Sequence, residues 1–242
     1  METYNQKAQK QLKYWLYQQN RTPSWYQQKA KSIQNTFNDH LPKIYHQAMT
    51  SAIKEMTKAI ITGSQYTSHD PKRDLTLEQR EQLVKSLAHH YRTTATVEGA
   101  ATGFGGLVLS AADFPLLLSI KIKMLYEIAA IYGYDTNDYY ERLYMLHVFQ
   151  LAYSSPPNNQ PLLKRMTHWS KAKDQLPKKL DDFAWQRFQQ DYRDYMDIAK
   201  LLQILPGVGA LFGAAANHHL VDQLTTTAIF AYRMRYFEKS ID

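Results

Sequence analysis

Apolar residues recur along most of the chain at spacings of three and four, which is the period of an amphipathic α-helix. In the first such stretch, over residues 2–19, one face collects the side chains of Tyr4, Ala8, Leu12, Trp15 and Leu16. Comparable stripes predict further helices beginning near residue 24 and over residues 42–61, 76–98, 114–132, 135–153, 162–173 and 179–205, with a last helix ending near residue 237. Strict alternation typical of a β-strand is absent, so the pattern predicts an all-α, multi-helix bundle.

Two helix ends carry recognisable signals. Thr76 precedes an apolar stripe and is followed by Glu78 and Gln79, which predicts an N-cap at Thr76 with Glu78 or Gln79 in the first turn. Gly133 follows the last apolar residues of another stripe, where a glycine commonly ends a helix in the left-handed conformation.

Seven of the nine glycines fall in two apolar segments. The first contains Gly99, Gly103, Gly105 and Gly106, and the second contains Gly207, Gly209 and Gly213. Glycines four residues apart let helices approach closely, either in a membrane or in a tight core. Asp113 and Pro115 interrupt the first segment, which leaves it too short for a membrane span of about 20 apolar residues. We therefore expect two glycine-rich helical hairpins in the core, with shallow membrane insertion as the alternative.

Polar residues inside these segments need a partner, because burying a carboxylate without one is costly. Asp113 directly precedes Phe114-Pro115, a good position for an N-cap of the following helix, and Lys121 and Lys123 are possible ion-pair partners. Asn217 is expected to act as the equivalent cap in the second segment.

Composition and charge narrow the function. The 242 residues include no cysteine, which excludes disulfides, zinc–thiolate sites and a thiol nucleophile. The net charge is +7, and residues 1–95 carry the whole surplus, with 14 basic and 7 acidic side chains. This asymmetry predicts an anionic partner for the N-terminal part. We expect basic, aromatic helices over residues 1–39 and a single helical domain over residues 40–242.

The N-terminal helices combine tryptophans with lysines, as proteins at an anionic membrane surface do. The candidate lipid-binding residues are Lys7, Lys10, Lys13, Trp15, Trp25 and Lys29. The same composition also suits single-stranded nucleic acid, or a helix docked on the body of the protein with its rings inward. We favour a lipid surface or docking and expect no nucleic-acid partner.

Catalytic chemistry has weaker support. The candidate residues near the glycine-rich segments are Glu98, Asp113, Glu127, His218 and Asp222. A histidine from either adjacent pair, His89-His90 or His218-His219, could meet Asp222 if the helices pack together. Spaced metal-binding motifs, a nucleophile elbow, a P-loop and a dinucleotide-binding fingerprint are absent, so we expect no metal and no cofactor.

The glycine motifs resemble those of the EcsC family. The resemblance rests on four segments: EGAATGFGG over residues 98–106, Ala112-Asp113, YGYD over residues 132–135 and LPGVGALFGAAAN over residues 205–217. The resemblance extends over about residues 40–238. The family is named for a protein that is encoded beside an ABC transporter. The resemblance therefore implies a cytoplasmic protein working near the inner face of the cell membrane, and it implies no particular reaction.

These observations together favour a non-enzymatic, membrane-peripheral cytoplasmic protein that binds anionic lipid or an inner-membrane partner such as an ABC transporter. The alternatives are a hydrolase-like enzyme that uses the buried carboxylates with a histidine, and a helical bundle that binds an apolar ligand or lipid. A pocket where carboxylates and a histidine converge would favour the enzyme. A large apolar cavity would favour the ligand-binding bundle. The pattern leaves the oligomeric state open.

Overall fold

The computed structural model describes residues 2–21, 43–62, 70–102, 106–154, 159–176 and 210–238. Within these ranges only the backbone is described for residues 43–50, 52, 61, 94–102, 106–117 and 210–217. All regular structure in the described ranges is helical, which confirms the predicted all-α fold. The helices are α1 (Tyr4–Asn20), α2 (Lys43–Thr62), α3 (Leu77–Thr102), α4 (Gly106–Ile131), α5 (Tyr139–Tyr153), α6 (Gln160–Thr167), α7 (Trp169–Lys173) and α8 (Ala210–Glu238).

Helices α3 and α8 form a long antiparallel pair. Arg92 of α3 meets Asp222 of α8, and Glu81 meets Arg233 two to three turns further along. The separation is eleven residues on both helices, so the two stay in register over this length. Helix α4 also runs antiparallel to α3, because Tyr91 contacts Glu127 and Arg80 contacts the carbonyl of Ile131.

Helix α5 lies at the centre of the core. Every residue from Leu143 to Tyr153 is buried, which requires neighbours on all sides of the helix. Two buried hydroxyls fix α5 against α8: Tyr144 Oη donates to the carbonyl of Ala231 at 2.6 Å, and Tyr153 Oη donates to the carbonyl of Leu220 at 3.1 Å. Helix α5 therefore provides the apolar surface on which the neighbouring helices are placed.

Both predicted helix ends are present. Thr76 and Gln79 form a reciprocal capping box, with Thr76 N–H donating to Gln79 Oε1 at 2.9 Å and Gln79 N–H donating to Thr76 Oγ1 at 3.3 Å. Gly133 ends α4 with φ of 85°. Its N–H donates to the carbonyl of Ala130 at 2.9 Å, and Tyr134 N–H donates to that of Ala129 at 3.0 Å, which is a Schellman motif.

The predicted helix start near Pro115 is wrong. Helix α4 begins at Gly106 and continues through Asp113 and Pro115 to Ile131, so Asp113 is not an N-cap. Proline removes one backbone hydrogen bond and strains the preceding turn, at a cost of about 3 kcal/mol in a helix interior. Packing of α4 against α2, α3, α5 and α8 opposes that cost. Asn217 likewise lies inside α8, so the second predicted cap is also wrong.

Several predictions fall outside the described residues. These are the helix beginning near residue 24, the helix over residues 179–205, and the parts of the two predicted hairpins that contain Gly103, Gly105, Gly207 and Gly209. The first glycine-rich segment does connect an antiparallel pair, since α3 ends at Thr102 and α4 begins at Gly106. None of the described helices combines the length and the hydropathy that a membrane crossing needs.

Candidate functional site

Helix α1 presents two chemically different faces. One face, which includes the buried Ala8 and Leu12, packs against α8 and α3. The opposite face is exposed and carries Lys7, Lys10, Lys13, Tyr14, Tyr17 and Arg21. Spacings of three and four residues place this second set along one stripe of the helix.

A buried ion pair anchors the inner face of α1. Glu81, with 0% of its side chain exposed, receives hydrogen bonds from Arg233 Nε and Nη2, each at 2.6 Å. The Tyr4 hydroxyl of α1 donates to the same carboxylate at 2.6 Å. Arg233 Nη1 also donates to Gln11 Oε1 of α1 at 2.9 Å. The pair therefore belongs to the α3–α8 interface and binds α1 through both of its partners.

The anchor perturbs the tyrosine. Burial raises the pKa of Tyr4 to about 12, with the Glu81 hydrogen bond and charge acting in the same direction, while Arg233 lowers it. Tyr4 therefore stays protonated well above neutral pH and remains a donor to Glu81.

An aromatic contact reinforces the same docking. The ring of Trp15 is half-buried and stacks on Phe230 of α8, with centroids 4.9 Å apart and planes inclined by 10°. The Arg233 guanidinium lies 5.1 Å from the centre of the Phe230 ring, in cation–π range. The Trp15 ring therefore points inward, as expected for a helix docked on the body of the protein, and it contributes to the attachment of α1. Trp25 and Lys29, the other N-terminal candidates, lie outside the described residues.

The exposed face of α1 contains positive charge without an opposing acid from the helix itself. Residues 4–20 include no Asp or Glu. The nearest acid is Glu2, which pairs with Lys10 at 2.7 Å in a contact open to solvent. Tyr14 and Tyr17 are 65% and 61% exposed, so two phenol rings stand in solvent among the cations. Arg21 lies over the Tyr17 ring at 6.0 Å. This arrangement of basic groups and free phenol rings is suited to an anionic surface.

The predicted catalytic residues form separate pairs. Glu127 accepts a hydrogen bond from Tyr91 Oη at 2.6 Å, and burial raises the pKa of that tyrosine, with Glu127 adding to the effect. Asp222 pairs with Arg92 at 2.8 Å and with His218 Nδ1 at 3.3 Å. Tyr91 and Arg92 are consecutive on α3, so they point about 100° apart, toward α4 and α8 respectively. Glu127 therefore belongs to a different contact from Asp222 and His218.

The Asp222 cluster is a partly exposed ion pair. The side chains of Asp222 and His218 are both more than 40% exposed, and Arg92 supplies a balancing charge. Among the residues that the structure describes, no group of three or more His, Asp or Glu has the arrangement that would hold a metal ion. For Glu98, Asp113 and Asn217 only the backbone is described, and each lies within a helix. Lys121, proposed as a partner for Asp113, is buried on α4, whereas Lys123 is exposed.

The glycines of the two motifs are divided between helices and the remaining chain. Gly99 lies near the end of α3, Gly106 begins α4 and Gly213 lies in the first turns of α8. The four others are outside the described residues, namely Gly103, Gly105, Gly207 and Gly209.

A second buried charge cluster was not predicted. Glu141 of α5 accepts a hydrogen bond from Tyr232 Oη at 2.7 Å and forms an ion pair with Arg235 of α8. The Arg235 guanidinium lies 3.7 Å from the Tyr134 ring centre and 4.6 Å from that of Tyr144. Burial places the pKa of Tyr232 well above its usual value, and Glu141 reinforces the shift. This cluster holds α8 on the core and keeps the Glu141 carboxylate out of contact with solvent.

The sequence contained one signal for the buried acids. Glu81 occupies a position of the apolar stripe of α3, between Leu77 and Val84, where a charged residue needs a cation across the interface. The stripe indicates a buried partner, but it does not identify Arg233, which is 152 residues away.

Comparison with known proteins identifies the family. The family model described as "EcsC protein family" matches residues 6–237. The chain is 38% identical over 241 residues to Protein EcsC of Bacillus subtilis (strain 168), with 98% of each chain covered. It is 26% identical over 232 residues to Uncharacterized protein YdbA of the same strain, covering 87% of this chain and 85% of that relative. No solved structure gives a significant match.

The chain therefore belongs to the EcsC protein family. The match begins within α1, so it extends further toward the N-terminus than the region spanned by the glycine motifs. Helix α1 and its basic face are thus included in the family match, together with the α3–α8 body on which α1 docks.

Proposed function

We propose that the protein binds the anionic inner face of the cell membrane as a peripheral, non-enzymatic component, through the exposed face of α1. The observation that carries the proposal is the composition of that face: Lys7, Lys10 and Lys13 project from a helix that contains no acid. The docked inner face keeps these cations on a rigid surface. Preorganised charge loses less conformational entropy on binding than charge on a disordered tail.

The separation of the predicted acids also supports binding over catalysis. Glu127 is engaged by Tyr91, and Asp222 by Arg92 and His218. An acid–base mechanism needs two such groups within reach of one substrate. The described side chains place Glu127 and Asp222 in different contacts, toward different helices.

The electrostatic contribution is large enough to measure. Each Lys or Arg close to an anionic membrane contributes about 1 kcal/mol. Removal of the three lysines is therefore expected to cost about 3 kcal/mol, or about 100-fold in the membrane partition coefficient. Salt screens this attraction, because the Debye length falls from about 10 Å at 0.1 M to about 3 Å at 1 M.

Vesicle flotation tests the proposal. The full chain is mixed with vesicles of phosphatidylcholine alone, or with vesicles that also contain about 30 mol% of the anionic lipid phosphatidylglycerol, which gives the membrane a negative surface potential. Each mixture is tested at low and at high salt. The triple variant Lys7→Gln/Lys10→Gln/Lys13→Gln is expected to lose flotation with the anionic vesicles. A matched control, Lys54→Gln/Lys58→Gln/Lys85→Gln, removes the same charge from exposed positions on α2 and α3 and is expected to float like the wild type.

Three results would contradict the proposal. Failure of the wild-type chain to float with anionic vesicles at low salt would direct attention to an inner-membrane protein partner instead. Equal losses for the two triple variants would show that only net charge matters. Flotation that survives high salt would indicate apolar insertion in place of the α1 surface.

A further inference from the structure

A groove of about 570 Å³ lies between the C-terminal half of α1 and helix α6. Leu16, Pro161 and Leu163 give it an apolar lining. The polar lining residues are Asn20, Gln160, Lys164 and Thr167. The volume is within the range of about 300–1,000 Å³ that is typical of small-molecule sites. We propose that this groove binds one anionic phospholipid, with part of an acyl chain along the apolar residues and the phosphate near Lys164.

Polar contacts hold the two sides of the groove together. Asn159 Nδ2 donates to Gln19 Oε1 at 2.9 Å, and Gln160 Nε2 donates to the carbonyl of Gln19 at 2.5 Å. Asn159 is fully buried, so this junction between α1 and α6 is a packed contact. The groove is therefore formed before any ligand binds, which reduces the cost of ordering it.

Charge selects the class of ligand. Residues 4–21 and 159–173, the two stretches of chain from which the groove-lining residues come, include no Asp or Glu. The same two stretches contain eight basic residues: Lys7, Lys10, Lys13, Arg21, Lys164, Arg165, Lys171 and Lys173. A neutral apolar ligand would gain nothing from these charges. An acidic peptide would match the charge, but the apolar lining combined with a single lining cation favours a ligand with one anionic group and a hydrocarbon chain.

The position of the groove connects it with the membrane-binding face. On α1, Leu16 and Asn20 are one turn apart, and Lys13 and Tyr17 occupy the neighbouring positions of the helix surface. A lipid drawn from a membrane facing α1 would thus meet the groove at its edge. The inference rests on the proposed function in that respect, and it adds the ligand class and the place where a single lipid molecule is bound.

The test uses lipid monomers, so that it does not depend on vesicle binding. Calorimetric titration of the full chain with dihexanoyl-phosphatidylglycerol, kept below its critical micelle concentration, is expected to show one site. Dibutanoyl-phosphatidylglycerol is expected to bind more weakly, by about fourfold for each methylene removed from the bound chain (about 0.8 kcal/mol each). Dihexanoyl-phosphatidylcholine, which has no net charge, is expected to bind about tenfold more weakly.

Two variants address the groove from opposite sides. Asn20→Trp fills the groove from an exposed position on α1 and is expected to weaken lipid binding at least tenfold. Lys164→Gln removes the lining cation on α6 without adding bulk, and it is also expected to weaken lipid binding. Lys171→Gln is the matched control, because it removes one exposed charge from α7 outside the groove. The affinity of Lys171→Gln for the lipid is expected to stay within twofold of that of the wild type. Unchanged thermal unfolding of Lys164→Gln keeps the test valid if Asn20→Trp perturbs the fold.

Several outcomes would overturn the inference. Glycerol phosphate binding as tightly as the lipid would show a headgroup site without a chain. Equal affinity for both chain lengths, or full binding by Asn20→Trp, would place the lipid elsewhere. An acidic peptide that bound in the groove when monomeric lipid did not would indicate a protein partner.

The two proposals fail separately. If wild-type flotation requires the α1 lysines and monomeric lipid does not bind, only the groove inference fails. If monomeric lipid binds in the groove and vesicles are ignored, only the proposed membrane function fails.

Discussion

Replacing Arg233 by Met tests how α1 is attached to the body. The Glu81 carboxylate has no solvent exposure and accepts two hydrogen bonds from Arg233 and one from the Tyr4 hydroxyl. The change removes the two bonds from Arg233 and leaves the bond from Tyr4. Breaking a buried ion pair from one side costs about 3–5 kcal/mol, because an uncompensated charge stays in the interior. Urea unfolding at pH 7, monitored by circular dichroism, is expected to show that the free energy of unfolding falls by this amount.

The double variant Glu81→Leu/Arg233→Met separates the ion pair from general disruption. Apolar replacement of both partners removes the stranded charge, so the double variant is expected to be more stable than Arg233→Met alone, by about 2 kcal/mol or more. If Arg233→Met costs less than about 1 kcal/mol, or the double variant is less stable than the single, the electrostatic reasoning is refuted.

The same variants report on docking of α1 itself. Because the chain has no cysteine, a single cysteine at Ala8 gives an unambiguous labelling site under native conditions. Ala8 is 1% exposed on the docked face, so labelling requires α1 to move away. If Arg233→Met lowers the free energy needed to undock α1 by about 3 kcal/mol, the labelling rate is expected to rise about 100-fold. A cysteine at Ala152, which is buried in α5, controls for global unfolding.

Three further predictions concern stability. His147 is buried and its pKa is lowered to about 3 by burial, with Arg165 contributing, so the folded state resists protonation and stability is expected to fall as the pH drops from 6.5 toward 3; urea titrations should give a limiting slope of about 1.4 kcal/mol per pH unit that His147→Leu removes. Tyr4 has a raised pKa, so its stabilising contribution is complete below pH 10 and lost as the pH rises toward 12; Tyr4→Phe is expected to reduce alkaline destabilisation, and an unchanged alkaline limb would contradict the assignment. Gly133→Ala places a Cβ 2.7 Å from Arg80 Nη1 at a positive φ, and is expected to destabilise by about 1–3 kcal/mol, seen as a lower melting temperature.

Local signals in the sequence predicted the helix ends well. Thr76 with Gln79, and Gly133, each depend on residues within one turn, so their geometry follows from neighbours along the chain. The same local reasoning failed at Pro115, because the proline rule describes an isolated helix and α4 packs against four others. The periodicity of α1 predicted its apolar face, and the docked alternative for its rings applies to Trp15.

Long-range pairings were beyond sequence reasoning. Among the predicted candidates, His218 and Asp222 are together because they are four residues apart on one helix. Glu81 and Arg233 are joined only by the α3–α8 register, and Glu141 and Arg235 only by the approach of α5 to α8. A single sequence shows that a charge occupies an apolar stripe, but the identity of its partner depends on which helices become neighbours.

The anchor of α1 also determines an order of events during folding. Gln11 and Arg233, which hydrogen-bond across the docked interface, are 222 residues apart in the chain. At about 5–20 residues per second, a ribosome needs roughly 10–45 s to add the residues between them. During that interval α1 has neither the Arg233 guanidinium nor the Phe230 ring to bind. Helix α1 is synthesised before α8 but cannot reach its docked position until α8 has left the ribosome, so its apolar face stays uncovered by α8 during that interval.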